Sequence, residues 1–215
     1  DFLDIPLDIK PLQLVHENGK LFVMAWDEEA TRENVLLVMD GETNELVHEM
    51  NLGFDAKRLF KTPDKHIIVS YDDLHTIIDS STMASQFVRY PEGTHPNFSD
   101  SDFRYFDSSG LMYYDMLAGT HSIYPKIPAV YDFSTQTAVL YAYENFLTEA
   151  QLTFELEIEN TTLVHFDGQN NQMLIGYKKS SNPNKGGILR IRPVPDPKYL
   201  GNLDLDGVPY LLYQE

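Results

Sequence analysis

Residues 35–50 read VLLVMDGETNELVHEM. An apolar run ends on Asp40, a turn carries Thr43, and a second run follows. The same line recurs as HTIIDSSTMASQFVRY at 75–90 and AVYDFSTQTAVLYAY at 129–143. Each time an Asp (Asp40, Asp79, Asp132) closes a strand and a Thr (Thr43, Thr82, Thr135) stands three residues on. Carboxylate and hydroxyl groups at these places hydrogen-bond turn amides, so the motif predicts strand, turn, strand.

A second repeat precedes the first. LDIPLDIKPLQLVHENG (3–19) aligns without a gap with LTFELEIENTTLVHFDG (152–168). Leu3, Ile5, Leu7 and Ile9 alternate with polar residues and Pro6, as Leu152, Phe154, Leu156 and Ile158 alternate with polar ones. Period two predicts half-buried strands, and the acids and the proline suit a sheet edge. Short apolar runs follow, then Asn18-Gly19 and Asp167-Gly168, which read as hairpin turns. LFVMAW (21–26) and MLIGY (173–177) come next. RLFKTPDKHIIVSYDD (58–73) and FRYFDSSGLMYYDM (103–116) repeat the strand–turn–strand order. With Val15, Phe60, Phe106 and Phe166 equivalent, the spacings are 45, 46 and 60, the extra residues falling near 144–150. Four strands per period of ~40–50 residues is the pattern of propeller blades.

The expected fold is therefore all-β: a β-propeller of about four four-stranded blades within one domain, residues 1–215. The blades fall at 10–52, 53–92, 98–158 and 159–203. Residues 1–9 supply an outer strand, either closing the last blade or belonging to a preceding one. The fourth unit loses the Asp–Thr signature and becomes Pro-rich, and VPYLLYQ (208–214) reads as a further inner strand. A slice of a larger ring, or an additional blade within 91–160, stays open at this point.

The units VMDGETNELV and VYDFSTQTAVL resemble those of bacterial TolB-like and YVTN-like propellers. The resemblance covers most of residues 12–203. It implies an exported protein of the periplasm or cell surface, sometimes a lipoprotein, acting as a binding platform or accessory subunit; a cytoplasmic place stays open. No catalytic motif of such proteins is matched residue by residue, so no functional residue carries over.

The chain has 215 residues and a net charge of −17. That charge repels phosphate, which argues against nucleic acid and anionic membrane surfaces as partners. Cysteine is absent, which removes disulfides, thiolate zinc sites and cysteine nucleophiles. No apolar run approaches the ~20 residues of a transmembrane helix, so any membrane association would come through a complex. The chain begins with Asp1 rather than Met, which reads as processing or trimming and makes a missing leader uninformative.

Candidate sites are few. The stretch 177–198 holds six of the sixteen basic residues, namely Lys178, Lys179, Lys185, Arg190, Arg192 and Lys198, against one acid, Asp196. The first five form a candidate docking patch for an acidic protein surface; a solvated loop balancing nearby acids is the plainer reading. Asn202, Asp204 and Asp206 before Gly207 have the spacing of a calcium loop. The twelfth position is Tyr213, not an acid, with Glu215 two residues later, and an ordinary Asp-Gly turn fits as well. No other cofactor is expected. His95 and His121 stand in two Gly-Thr-His loops and are candidate ligand residues. Asp100 and Asp102, with Asp107 nearby, are paired carboxylates of a kind that serves acid–base chemistry, or a solvated loop. His16 and His165 occupy matching repeat positions, which assigns them to packing. Tyr90-Pro91, Tyr124-Pro125 and Phe146-Leu147 mark loops for interaction. The preferred reading is a non-enzymatic platform docking a protein partner; the alternative is an enzyme or carbohydrate-binding propeller with its site at the central mouth.

Overall fold

A computed structural model of the chain describes residues 7–193 and 196–212. The chain is all-β, with sixteen strands among the described residues in four antiparallel four-stranded sheets. It forms two compact units that divide between His95 and Pro96. Val15, Phe60, Phe106 and Phe166 each lie on the first strand of a sheet.

The first unit holds two meanders. One is β1 (Lys10–Glu17), β2 (Lys20–Trp26), β3 (Asn34–Asp40) and β4 (Leu46–Gly53). The other is β5 (Arg58–Lys61), β6 (His66–Ser70), β7 (Leu74–Asp79) and β8 (Ser85–Arg89). Phe22, Met24, Leu36 and Val38 project from one face of the first sheet and pack with Leu59, Ile67, Val69 and Ile78 of the second. Gln13 clips the two first strands together. Its amide donates to Lys57 O at 3.0 Å, and its carbonyl accepts from Leu59 N at 2.8 Å, in place of a backbone ladder. Asn18 and Gly19 both have positive φ, the geometry that an Asn-Gly hairpin requires.

The second unit repeats the plan. β9 (Arg104–Phe106), β10 (Met112–Leu117), β11 (Lys126–Asp132) and β12 (Thr137–Leu140) form the third sheet. β13 (Ile158–Asp167), β14 (Gln172–Lys179), β15 (Gly186–Arg192) and β16 (Lys198–Leu205) form the fourth. Aromatic side chains join them: the rings of Tyr113 and Phe166 stack at 5.2 Å. Tyr143 and Thr161 share a hydroxyl hydrogen bond at 2.7 Å, and Thr161 Oγ1 donates to Lys126 O at 2.9 Å.

The Asp–Thr motif forms the same turn three times. Asp40 Oδ1 accepts from Glu42 N and Thr43 N, each at 2.9 Å. Asp79 Oδ1 accepts from Ser81 N and Thr82 N, each at 2.8 Å. Asp132 Oδ1 takes Ser134 N at 2.8 Å and Thr135 N at 3.4 Å. The residue after the Thr then turns left-handed in every copy: Asn44, Met83 and Gln136, at φ 62, 61 and 57.

Three expectations change. Residues 152–156 are not a strand: Gln151–Leu156 is a π-helical turn. The cause is local. Thr148 N donates to Gln151 Oε1 at 2.9 Å while Gln151 N donates to Thr148 Oγ1 at 3.3 Å, the reciprocal capping box that starts a helix. Leu156 is buried and Phe154 is 80% exposed, so the apolar alternation does not line one face. Second, the fourth sheet's first hairpin does not turn on Asp167-Gly168. Its turn runs over residues 168–171 and closes on Asn171 at φ 50, while Asp167 caps Gln169 N and Asn170 N. Third, residues 208–212 form no strand. Pro209 instead lies over the fourth sheet, where a Cβ on Gly176 or Gly186 would come within 3.0 Å of its ring; Tyr213 and Gln214 lie outside the described residues. Of the expected amino-terminal strand, residues 1–6 lie outside the described residues, and residues 7–9 are not in strand. Residues 104–140 form a single four-stranded sheet, and the rest of 91–160 adds only short helices and the start of β13.

The amide hydrogen bonds hold the carboxyls of Asp40, Asp79 and Asp132 below their usual range and, for Asp132, the bond from Ser134 Oγ leads. Their folded values lie below their unfolded ones, so their contribution is complete above about pH 4 and is lost as pH falls through the folded values. The urea midpoint should therefore drop between pH 4 and pH 3, and an Asp40→Asn/Asp79→Asn/Asp132→Asn chain should show a shallower drop over that interval.

Candidate functional site

The densest polar cluster belongs to the second unit. Asp115 stands inside the apolar strand MYYDML and is 1% exposed. Its Oδ1 accepts from Ser101 Oγ at 2.5 Å, Phe103 N at 3.0 Å and Asp102 N at 3.1 Å. Its Oδ2 accepts from Lys126 Nζ at 2.8 Å, and Lys126 also pairs with the Asp102 carboxylate. Burial by itself would lower the Lys126 pKa, but its bonds to Asp102 and Asp115 hold it above the ordinary value. Arg104 donates to Phe98 O at 2.9 Å and Ser101 O at 2.8 Å. Residues 98–104 are thereby wired onto β10 and β11. Asp100 sits on a short 3-10 helix, Asp102 faces Lys126, and Asp107 caps the β9–β10 hairpin through Ser109 N and Leu111 N. Each of these last two carboxylates thus has its own structural partner. The sequence signal for this knot is the lone acid in an apolar run, since a charge enters a core only with a partner.

The histidines divide. His75 is fully buried, its Nδ1 2.8 Å from Tyr90 OH, and burial pushes its pKa down to about 4. His165 is buried, its ring 4.0 Å from that of Tyr105. His16 at the matching position is exposed on β1. His165 is covered because β13 packs against the third sheet, where Tyr105 lies on its ring. His95 Nδ1 lies 3.1 Å from Asp72 O in the first unit, and His121 lies in the second, its backbone N donating to Ala118 O at 3.0 Å.

Lys178 and Lys179 end β14. Lys178 pairs with Glu159 at 2.9 Å, Lys179 with Asp204 at 2.9 Å and Lys185 with Asp206 at 3.1 Å. Arg190 and Arg192 are exposed on β15. Asn202 and Asp204 lie on β16, where Tyr199 OH donates to Asn202 Oδ1 at 2.9 Å. Tyr213 and Glu215, the later positions of the calcium spacing, lie outside the described residues. Among the described residues no three His, Asp or Glu side chains gather as a metal site.

Of the loop aromatics, Tyr124 packs against Tyr143 at 5.2 Å, Leu147 is buried, and Tyr90 meets His75. Beside these buried neighbours Ile123 projects, 85% exposed, and elsewhere among the described residues Phe154 and Leu211 are 80% exposed. Ile123 is held out rigidly. Glu144 accepts from Ser122 Oγ at 2.8 Å and from Ile123 N at 3.0 Å. Sequence reading passed over Ile123 because the clamp comes from a residue twenty-one positions away.

No family model matches the chain, and no curated protein matches it in sequence. Solved structures do share its fold. Hsv2 of Kluyveromyces lactis has a TM-score of 0.50 at 11% identity, over 91% of this chain and 51% of that one. Sqt1 of Saccharomyces cerevisiae has 0.50 at 9%, over 89% and 47%. The Pan2 WD40 domain of Neurospora crassa has 0.47 at 10%, over 90% and 49%. These neighbours are β-propeller, WD40-like proteins, and the chain spans about half the length of each. The likeness concerns the fold alone.

Two outcomes follow for the buried charges. Asp115→Ala leaves Lys126 with Asp102 alone and takes the acceptor from Ser101 Oγ, Asp102 N and Phe103 N, and should cost about 3–5 kcal/mol in urea unfolding, while adding Lys126→Met should recover part of that loss. His75 has a folded pKa below its unfolded one, so only the unfolded chain takes up that proton between about pH 6.5 and 4. Its contribution is complete above pH 6.5 and declines by an order of ~3 kcal/mol toward pH 4; the stability profile of His75→Gln should lack that slope.

Proposed function

We propose that this chain is a non-enzymatic propeller platform that docks a protein partner through its loops, as an exported or cell-surface accessory subunit. The observation that carries the docking reading is the clamped Ile123. An apolar side chain 85% exposed on a loop fixed by Glu144 is poor packing for the chain itself. It suits an anchor, because a pre-ordered loop loses little freedom on binding. Propellers present such loops from a rigid scaffold. Arg190 and Arg192, exposed on β15, are the residues of the five-residue candidate patch left to meet an acidic partner surface. The export part of the reading rests on the resemblance to TolB-like and YVTN-like propellers. No helix among the described residues is long and apolar enough to cross a membrane.

The test is capture from the native source on the immobilised chain, with the captured protein identified. Ile123→Asp should reduce capture about tenfold or more, as expected of an anchor worth ~2 kcal/mol, and Arg190→Glu/Arg192→Glu should weaken capture at low salt and remove its decline with added salt. Thermal midpoints should stay within scatter, since both sites are exposed. Undiminished capture by Ile123→Asp would overturn the loop reading.

A further inference from the structure

The first sheet has a second apolar face. Val23, Ala25, Val35, Leu37 and Met39 are buried there, on the side opposite the second sheet. Their cover includes Leu7 and Ile9, which pack onto the face while Asp8 stands between them. Among the described residues that cover is incomplete. A cavity of about 310 Å³ lies among Leu7, Leu12, Leu14, Leu21, Val23 and Met39. Another of about 520 Å³ lies beside Leu7, Val35, Leu37, Met39 and Leu46. The two share Leu7 and Met39, so they are two parts of one groove astride the Leu7–Ile9 segment. Leu12, Leu14 and Leu46 on its borders are 44%, 60% and 53% exposed. An apolar surface of this kind marks an interaction site.

The charge around the groove selects its occupant. The lining of the second cavity includes Asp8, Asp27 and Glu49, and among the described residues neither cavity has a basic residue in its lining. Asp27 is held ionised by the amide of Ala30, with Thr31 adding hydrogen bonds from its own amide and hydroxyl. The rest of the chain adds to the field, at a net charge of −17. We propose that the groove takes an extended segment of a protein partner, with apolar side chains at alternate positions and Lys or Arg between them. The Leu7-Asp8-Ile9 segment shows the fit of the apolar half: two large side chains two residues apart drop onto the sheet while the intervening one stays on the rim. A basic residue between two such side chains, seated beside the Leu7–Ile9 segment, would face Asp8, Asp27 and Glu49 in the lining of the second cavity. This goes beyond the loop reading: Ile123 belongs to the other unit, and either proposal can fail while the other stands.

The probe is a fluorescent nine-residue peptide alternating lysine with leucine or valine, titrated into the full chain by anisotropy. Its control carries glutamate in place of lysine. The lysine peptide should saturate and bind about tenfold tighter or better. Leu14→Asp, at an exposed position, should weaken it about tenfold even though it adds negative charge, which separates groove binding from general attraction. Glu49→Lys should narrow the gap between the two peptides. Absence of saturable binding, equal binding of the two peptides, or full binding by Leu14→Asp would overturn the proposal. Binding seen only in a Leu3→Asp/Ile5→Asp chain would overturn it too, by assigning the groove to the chain's own amino-terminal residues.

Discussion

Two-sided burial of the central strands is the constraint on which this structure depends. In β2 and β3 the residues at successive positions, Phe22 to Ala25 and Val35 to Met39, are nearly all inaccessible. A single four-stranded sheet has only one face to hide against its own neighbour. A chain that writes apolar residues onto both faces commits each sheet to being covered twice. Within the first unit one face is met by the second sheet. The other is met in part by Leu7 and Ile9, which is why that face keeps cavities and exposed leucines at its borders.

The turns let this packing repeat. Asp40, Asp79 and Asp132 each bind two amides and set up a left-handed residue, so β4, β8 and β12 return antiparallel at fixed register. The acid and the hydroxyl act on amides two and three residues away, which makes the turn nearly independent of what surrounds it. The fourth sheet places the device in its first hairpin instead, where Asp167 binds Gln169 N and Asn170 N ahead of left-handed Asn171, and its last connection is the Pro-rich stretch between Arg192 and Lys198.

Charges follow the same economy. Asp115 and Lys126 go into the core together, with the amides and hydroxyl of residues 101–103 completing the carboxylate's acceptors. Such a knot fixes the entry to β9, with the Asp102 carboxylate on its solvent side. Most of the basic residues between 177 and 185 are likewise matched to acids of their own sheet. Among the side chains the second unit presents outward, Ile123 is set in place by Glu144.

Local signals were legible in the residues alone: the repeat of about 45 residues, the Asp–Thr turns, the Asn18-Gly19 hairpin and the four-strand period. Each depends on contacts within a few positions or on simple alternation. Alternation misled at 152–156, because a capping box from Thr148 to Gln151 acts earlier and more locally than any sheet. The unequal burial of His16 and His165, the Asp115–Lys126 pairing, the seating of Pro209 over Gly176 and Gly186, and the clamp that exposes Ile123 all join residues far apart in the chain. Their physical content is proximity between strands and loops that no local pattern encodes, so only the tertiary structure decided them.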